Sequence, residues 1–217
     1  MKNIIIVGAS AHAAEIVEYI EYINDYSIDA VYRIKGLIDK NETHYKTYGF
    51  EYKFLGNTDN HIIDKNSYYI IGIGNMSVRK KVIDEFKFKG AKFETIIHPT
   101  ALVSKTAEIG IGCLISHNVS VGPKAKIGEF CVINSRSTVG HDSVLGENNF
   151  ISPQVVLGGS TKIGKNNLLG TNCCLVPKIV VGNNNKVMAG MIVTNNIKDD
   201  EIVFYRFKEK LIIRNNN

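Results

Sequence analysis

A six-residue period decides what this chain can fold into. Every sixth residue from Ile97 to Val193, seventeen in succession, is Ile, Val or Leu. Those three types fill roughly a quarter of the 217 residues, so chance does not produce the run. The next position is often glycine, as at Gly110, Gly122, Gly140 and Gly158, and the residue two places before the aliphatic is usually small, as at Ala107, Ala125 and Ser137. Such a period fits neither an α-helix nor a simple alternating strand. It fits a three-sided parallel coil, with one hexad per face and successive turns stacked about 4.8 Å apart through backbone hydrogen bonds. The aliphatic points inward, the small residue shares the tapering corner, and glycine is expected where the backbone bends. The period is unbroken from 97 to 193, so no long loop is extruded between coils.

This pattern also accounts for the cysteines. Cys113, Cys131 and Cys173 fall on the small inward position, which makes them core filler and not metal ligands. Cys174 is one step out of phase and is expected at the surface.

The first 97 residues have a different rhythm. Strands are expected at Asn3–Val7, Lys35–Asp39, Tyr68–Ile73 and Phe93–Ile97, with helices at Ala13–Ile23 and Val78–Phe88. Alternating strands and helices give a small parallel α/β unit. The division is therefore residues 1–97, a Rossmann-like half domain for a nucleotide-sugar, and residues 98–217, a left-handed parallel β-helix. The turn Gly8-Ala9-Ser10-Ala11-His12 places backbone N–H groups at a helix N-terminus, an arrangement that holds phosphate. His12 faces the strand-end crevice and is a candidate ligand contact. Asp39 closes the second strand, where such folds bind ribose. The full G-x-G-x-x-G is absent and the unit is too short for a complete dinucleotide domain, so a mononucleotide or nucleotide-sugar fits better than a dehydrogenase cofactor.

Composition narrows the classes. The formal net charge is +5 and the basic residues are scattered, the densest group being Arg79-Lys80-Lys81, so nucleic acid is not an expected partner. No run of about 18 apolar residues exists, so no membrane span is expected. The short apolar run after the N-terminus reads as a buried strand followed at once by Gly8, and a cytoplasmic protein is expected.

A solid β-helix has no internal cavity, so chemistry must sit on its surface or between copies. The candidate bases in the repeat are His98, His117 and His141. His98 precedes Pro99 at the junction and reads as a packed linker residue. His117 and His141 lie on different faces. His141 is followed by Asp142, which can orient an imidazole, and one turn later stands Gly159, a bare backbone able to meet a thioester carbonyl while the ring meets an amine. The site predicted here is His141 beside Gly159, in a seam shared with a neighbouring copy.

The Gly8–His12 turn, Ile73-Gly74-Asn75 followed by Arg79-Lys80-Lys81, His98-Pro99, and the block from Ile133-Asn134-Ser135 to Gly140-His141-Asp142 together resemble the bacterial sugar O-acyltransferase family of left-handed β-helix acetyltransferases. That family includes sialic acid O-acetyltransferases and nucleotide-amino-sugar N-acetyltransferases. The resemblance implies a homotrimer that carries acetyl-CoA in the groove between adjacent β-helices. It implies that His141 is the base, Asp142 its support and Asn134 a polar residue of the same site. It places Gly159, Thr171 and Ala189 on the cofactor, and Gly8, Ser10, His12, Asp39, Gly74 and Asn75 on the nucleotide-sugar. The expected reaction is direct N-acetylation of a nucleotide-linked amino sugar, with sialic acid O-acetylation as the alternative. Two departures stand out. Some relatives carry a second histidine where this chain has Phe150, and many end in Gly-x-Pro-Ala-Lys where this chain runs from Asp200 to Phe207, leaving Arg206, Lys208 and Lys210 to meet phosphates.

Outside that family, a zinc hydratase would need His98, His117 and His141 to converge, and spacings of 19 and 24 give no close pair on one rim. A non-catalytic β-helix scaffold is the remaining alternative.

Overall fold

The computed structural model describes residues 1–205. The N-terminal unit contains β1 (Lys2–Val7), α1 (Ala11–Asp25), β2 (Tyr32–Asp39), α2 (Thr43–Tyr48), β3 (Phe54–Asn57), β4 (Tyr68–Ile71), α3 (Met76–Phe88) and β5 (Lys92–Phe93). The five strands form one parallel sheet in the order β3-β2-β1-β4-β5. β1 is central and reads as a continuous apolar run because α1 covers one face and α3 the other. α2 and β3 had no expectation in the sequence. Their alternation is short, and Gly36, Gly49 and Gly56 interrupt it. The strand expected over Phe93–Ile97 is two strands. Lys92–Phe93 pairs with β4, whereas Ile96–Ile97 pairs with Leu114–Ile115 and opens the β-helix.

From there, two-residue strands recur every six residues and pair in register eighteen apart, as Ser120 with Thr138 and Thr138 with Val156. They build three parallel sheets of six, five and seven strands, the faces of a triangular prism. The step shortens after Val193, and Lys186 pairs with Ile202, sixteen residues on. The inward aliphatics and the thiols of Cys113, Cys131 and Cys173 form one continuous core. Cys174 is half-buried on the outer side of its strand.

Two features of the coil differ from expectation. From Ile109 to Val187 the left-handed backbone position falls three residues after the aliphatic, at Asn118, Arg136, Asp142, Asn148 and their equivalents, with φ of 53–72°. The glycine just after the aliphatic has an ordinary φ and serves close stacking instead. A Cβ on Gly140 would stand 2.6 Å from the Gly159 nitrogen of the next coil. The inward "small" position also holds three asparagines, Asn149, Asn167 and Asn185. They are buried and linked by Asn167 Nδ2 to Asn149 Oδ1 at 3.0 Å and Asn185 N to Asn167 Oδ1 at 2.8 Å.

One outer face of the prism is covered by the N-terminal unit. Along the seven-stranded sheet, the outward residues Ile96, Leu114, Val132 and Phe150 are apolar and pack against Ile16, Tyr19 and Ile20 of α1. The five-stranded sheet presents Glu108, Lys126 and Lys162 at the same positions, alternating with exposed Val144 and Val180. The N-terminal unit therefore sits on the seven-stranded face. No helix among the described residues is long and apolar enough to cross a membrane.

Candidate active site

His141 follows the strand Thr138–Val139 and stands on the edge between the six- and five-stranded faces. Its Nδ1 lies 2.8 Å from Asp142 Oδ2. A carboxylate accepts only, so in the neutral ring Nδ1 carries the proton and Nε2 is the bare nitrogen. Asp142 reaches its neighbour because it occupies the left-handed position, φ 56°. Both side chains are exposed, 66% and 51%. The ring lies directly on Gly159, where an added Cβ would be 2.5 Å from Nε2. Only glycine leaves that space. The flanking amides are used for stacking, Gly158 N to Leu175 O and Ser160 N to His141 O, while Gly159 N–H has no partner among the described residues. A bare imidazole nitrogen and a free backbone donor thus share one exposed edge.

Asn134, Thr171 and Ala189 are on another edge. Each follows a strand of the seven-stranded face, so they line the corner between that face and the six-stranded one. Thr171 and Ala189 are exposed and stand one coil apart, and their N–H groups also have no partner among the described residues. Asn134 is buried, with its Oδ1 accepting from Ser135 N at 2.7 Å. Within one chain, then, His141 meets Asp142 and Gly159 but not Asn134.

The predicted acceptor residues gather at the strand ends of the N-terminal sheet. Gly8 has φ 110°, and a Cβ there would lie 2.7 Å from Gly72 O, so glycine is required where the turn crosses β4. Ser10 is the N-cap of α1 but makes no side-chain cap bond, and the first turn carries no acidic residue. Its leading N–H groups are available to an anion. Asp39 braces this turn, with Oδ2 accepting from Ala9 N at 3.0 Å and Oδ1 from Lys40 N at 2.6 Å, and His44 Nδ1 3.6 Å from Oδ2. His12 is 8% exposed, with Nδ1 3.1 Å from Glu15 Oε2, and its buried Nε2 has no partner. Its ring packs on Phe150 with centroids 5.5 Å apart. Phe150 therefore joins the two units. Asn75 caps α3 by accepting from Ser77 N and Val78 N, and with Gly74 it borders a crevice of about 370 Å³ against Leu168 and Asn184 of the prism.

His98 and His117 are closer than their spacing suggested. Nineteen residues is one coil plus one, and the rings lie 5.8 Å apart, with Tyr19 and Tyr22 of α1 against them. Tyr19 Oη contacts His117 Nδ1 at 3.1 Å and Thr100 Oγ1 contacts His98 Nδ1 at 2.9 Å, so both serve the junction between the units. His141 stands on another edge. No cluster of three or more His, Cys, Asp or Glu side chains fit to hold a metal occurs among the described residues. Arg79, in the densest basic group of the sequence, is buried. Arg206, Lys208 and Lys210 lie outside the described residues.

Comparison with known proteins agrees with this architecture. Residues 3–86 match the PglD N-terminal domain, and residues 124–159 match the bacterial transferase hexapeptide (six repeats). A stretch of 120 residues is 35% identical to UDP-N-acetylbacillosamine N-acetyltransferase of Bacillus subtilis (strain 168), covering 53% of this chain and 51% of that protein. The chain thus spans about half the length of this curated relative. The acetyltransferase domain of PglB from Neisseria gonorrhoeae, in complex with acetyl coenzyme A, has a TM-score of 0.80 at 23% identity, covering 93% of this chain and 95% of that one. PerB from Caulobacter crescentus, in complex with CoA and GDP-perosamine, has a TM-score of 0.80 at 20% identity, covering 93% of each chain. The chain accordingly joins a region that matches the PglD N-terminal domain to one that matches bacterial transferase hexapeptide repeats, in a fold shared with the acetyltransferase domain of PglB and with PerB.

Proposed function

We propose that this chain is an acetyl-CoA-dependent N-acetyltransferase that acylates the amine of a nucleotide-linked amino sugar. The observation that carries the reading is the edge at His141, where a bare Nε2, oriented by Asp142, shares its space with the free N–H of a side-chain-less Gly159. Aminolysis of a thioester needs those two elements, a proton acceptor at the amine and a donor at the carbonyl oxygen. His141 Nε2 takes the amine proton as the new C–N bond forms, and the Gly159 N–H steadies the charge that gathers on oxygen. His141 then returns the proton to the departing thiolate. The relatives described above include an N-acetyltransferase named for a nucleotide amino sugar and structures with acetyl coenzyme A or GDP-perosamine bound.

The division of labour we propose is residues 1–97 for the nucleotide-sugar and residues 98–217 for acetyl transfer. Gly8, Ser10 and His12, with Asp39 behind them and Gly74 and Asn75 beside them, take the nucleotide. The uncapped start of α1 and the unpartnered His12 Nε2 support that assignment. Thr171 and Ala189 offer free N–H groups suited to the amides of a pantetheine arm. Because the N-terminal unit covers the seven-stranded face and His141 stands on the opposite edge, a nucleotide-sugar held by one chain is served by the His141 of another. The working form is a homotrimer in which a neighbour's Asn134, Thr171 and Ala189 edge closes the seam. We place it in the cytoplasm, where four unpaired cysteines are stable.

The test is a panel of UDP-, TDP- and GDP-linked amino sugars and their hydroxyl counterparts, incubated with acetyl-CoA and followed by mass spectrometry. Acetylation of an amino sugar is expected. Transfer only to hydroxyl acceptors, or to none while acetyl-CoA binding is absent, overturns the reading.

A further inference from the structure

Arg79 is the largest fully buried side chain described, 1% exposed, and its hydrogen bonds all go to neutral oxygens. Nη1 donates to Ile71 O at 2.9 Å and Ile73 O at 3.3 Å, in the turn from β4 to α3. Nη2 donates to Phe130 O at 2.9 Å and Nε to Asn148 Oδ1 at 3.2 Å, both on the prism. The guanidinium fork therefore has two prongs in each unit. Burial pulls its pKa down to about 10, so it is still a cation at neutral pH.

A buried cation without a carboxylate beside it needs its charge met in another way. Asn148 is the first rung of an outer asparagine ladder. Asn148 Nδ2 donates to Asn166 Oδ1 at 3.0 Å, Asn166 Nδ2 to Asn184 Oδ1 at 3.1 Å, and Asn184 Nδ2 to Asp200 Oδ1 at 2.9 Å. Three aligned amide dipoles run from a cation to an anion, and each bond polarises the next. The ladder forms because Asn148, Asn166, Asn184 and Asp200 all occupy the left-handed corner position of successive coils. Asn166 and Asn184 also border the crevice that Gly74 and Asn75 overlook.

We propose that Arg79 is a positioning residue that fixes the Ile71–Asn75 turn to the prism, with Asp200 as its counter-charge across the asparagine ladder. The inference rests on the proposed role of Gly74 and Asn75 in holding the acceptor. Lysine cannot replace arginine here, because a single ammonium cannot span the four oxygens in two units.

Two variants test this. Arg79→Lys keeps the charge and loses the fork. Asn148→Gly keeps the left-handed backbone, φ 53°, and removes the Oδ1 acceptor. In both, amide exchange across residues 71–75 is expected to quicken about tenfold or more, with exchange in the coil strands of the six-stranded face, Thr138–Val139, Val156–Leu157 and Cys174–Leu175, unchanged. The KM for the nucleotide amino sugar is expected to rise roughly tenfold, with the KM for acetyl-CoA within about twofold of the parent. Unchanged exchange at the turn, or exchange that quickens equally in the coils, overturns the positioning role. The exchange result stands without any activity, so a chain that acetylates no amino sugar defeats the functional reading and leaves this one to be decided separately.

Discussion

An exposed histidine becomes a dependable base only when something decides which nitrogen is bare and holds it in place. Asp142 does the first for His141, and the flat backbone of Gly159 does the second. His141→Ala is expected to lower turnover by about 10²-fold or more while leaving acetyl-CoA binding intact by calorimetry. Gly159→Ala is the finer test. The new Cβ needs the space of Nε2, and an exposed ring can swing aside at little energetic cost, so stability should shift by less than about 0.5 kcal/mol. Turnover should nevertheless fall roughly tenfold or more, because a reacting group moved by an ångström loses its alignment. Wild-type turnover in Gly159→Ala, measured as thiol release, would count against the geometry. This pair was legible in the sequence, since eighteen residues separate 141 from 159 and the hexads fix one coil. Arg79 was not legible. Three basic residues in a row look like a solvated face, and only the packing of α3 against Phe130 and Asn148 shows which one turns inward.

At the scale of the coil, the hexad pattern shows where the aliphatics go and conceals why glycine follows them. The turn strain is carried by Asn, Asp, Lys and others at the left-handed corner, and the glycines let neighbouring backbones touch. Sequence spacing alone does not separate those two demands, because both recur every six residues. The inner asparagines escaped for a similar reason, since a polar residue at an inward position is judged by partners that lie a full coil away. Asn167 has them all. Nδ2 donates to Asn149 Oδ1 at 3.0 Å and Gly182 O at 2.9 Å, and Oδ1 accepts from Asn185 N at 2.8 Å. Asn167→Ala leaves Gly182 O and Asn185 N buried and unmatched, while Asn149 Oδ1 keeps the backbone N–H of residue 167, and should cost about 3 kcal/mol in a denaturant titration. A loss below about 1 kcal/mol would mean that water replaces the amide inside the prism.

The arrangement of the two units was written in the outer ladder Ile96, Leu114, Val132 and Phe150, which recurs every eighteen residues and was overshadowed by the inward period of six. Their junction also predicts an acid response. Burial lowers the pKa of His98, wedged between Tyr19, Tyr22 and His117, and burial together with Lys89 lowers that of His61, whose Nε2 is 2.8 Å from Tyr69 Oη. Both histidines bind protons less readily folded than unfolded. Their stabilisation is complete above the ordinary histidine pKa of about 6.5 and is lost as pH falls through the lowered folded values. The melting temperature should decline from roughly pH 7 to 5, and a flat profile there would refute the sign. The proposed trimer makes a sharper demand. His141 and Asn134 stand on different edges of one prism, so a complete site takes His141 from one copy and Asn134 from the next. Mixed in equal parts and allowed to exchange subunits, His141→Ala and Asn134→Ala chains place an intact His141 edge against an intact Asn134 edge at about one seam in four. Two inactive preparations should then recover about a quarter of the parent's turnover. If both groups acted within one chain, every mixed assembly would stay as inactive as its parts.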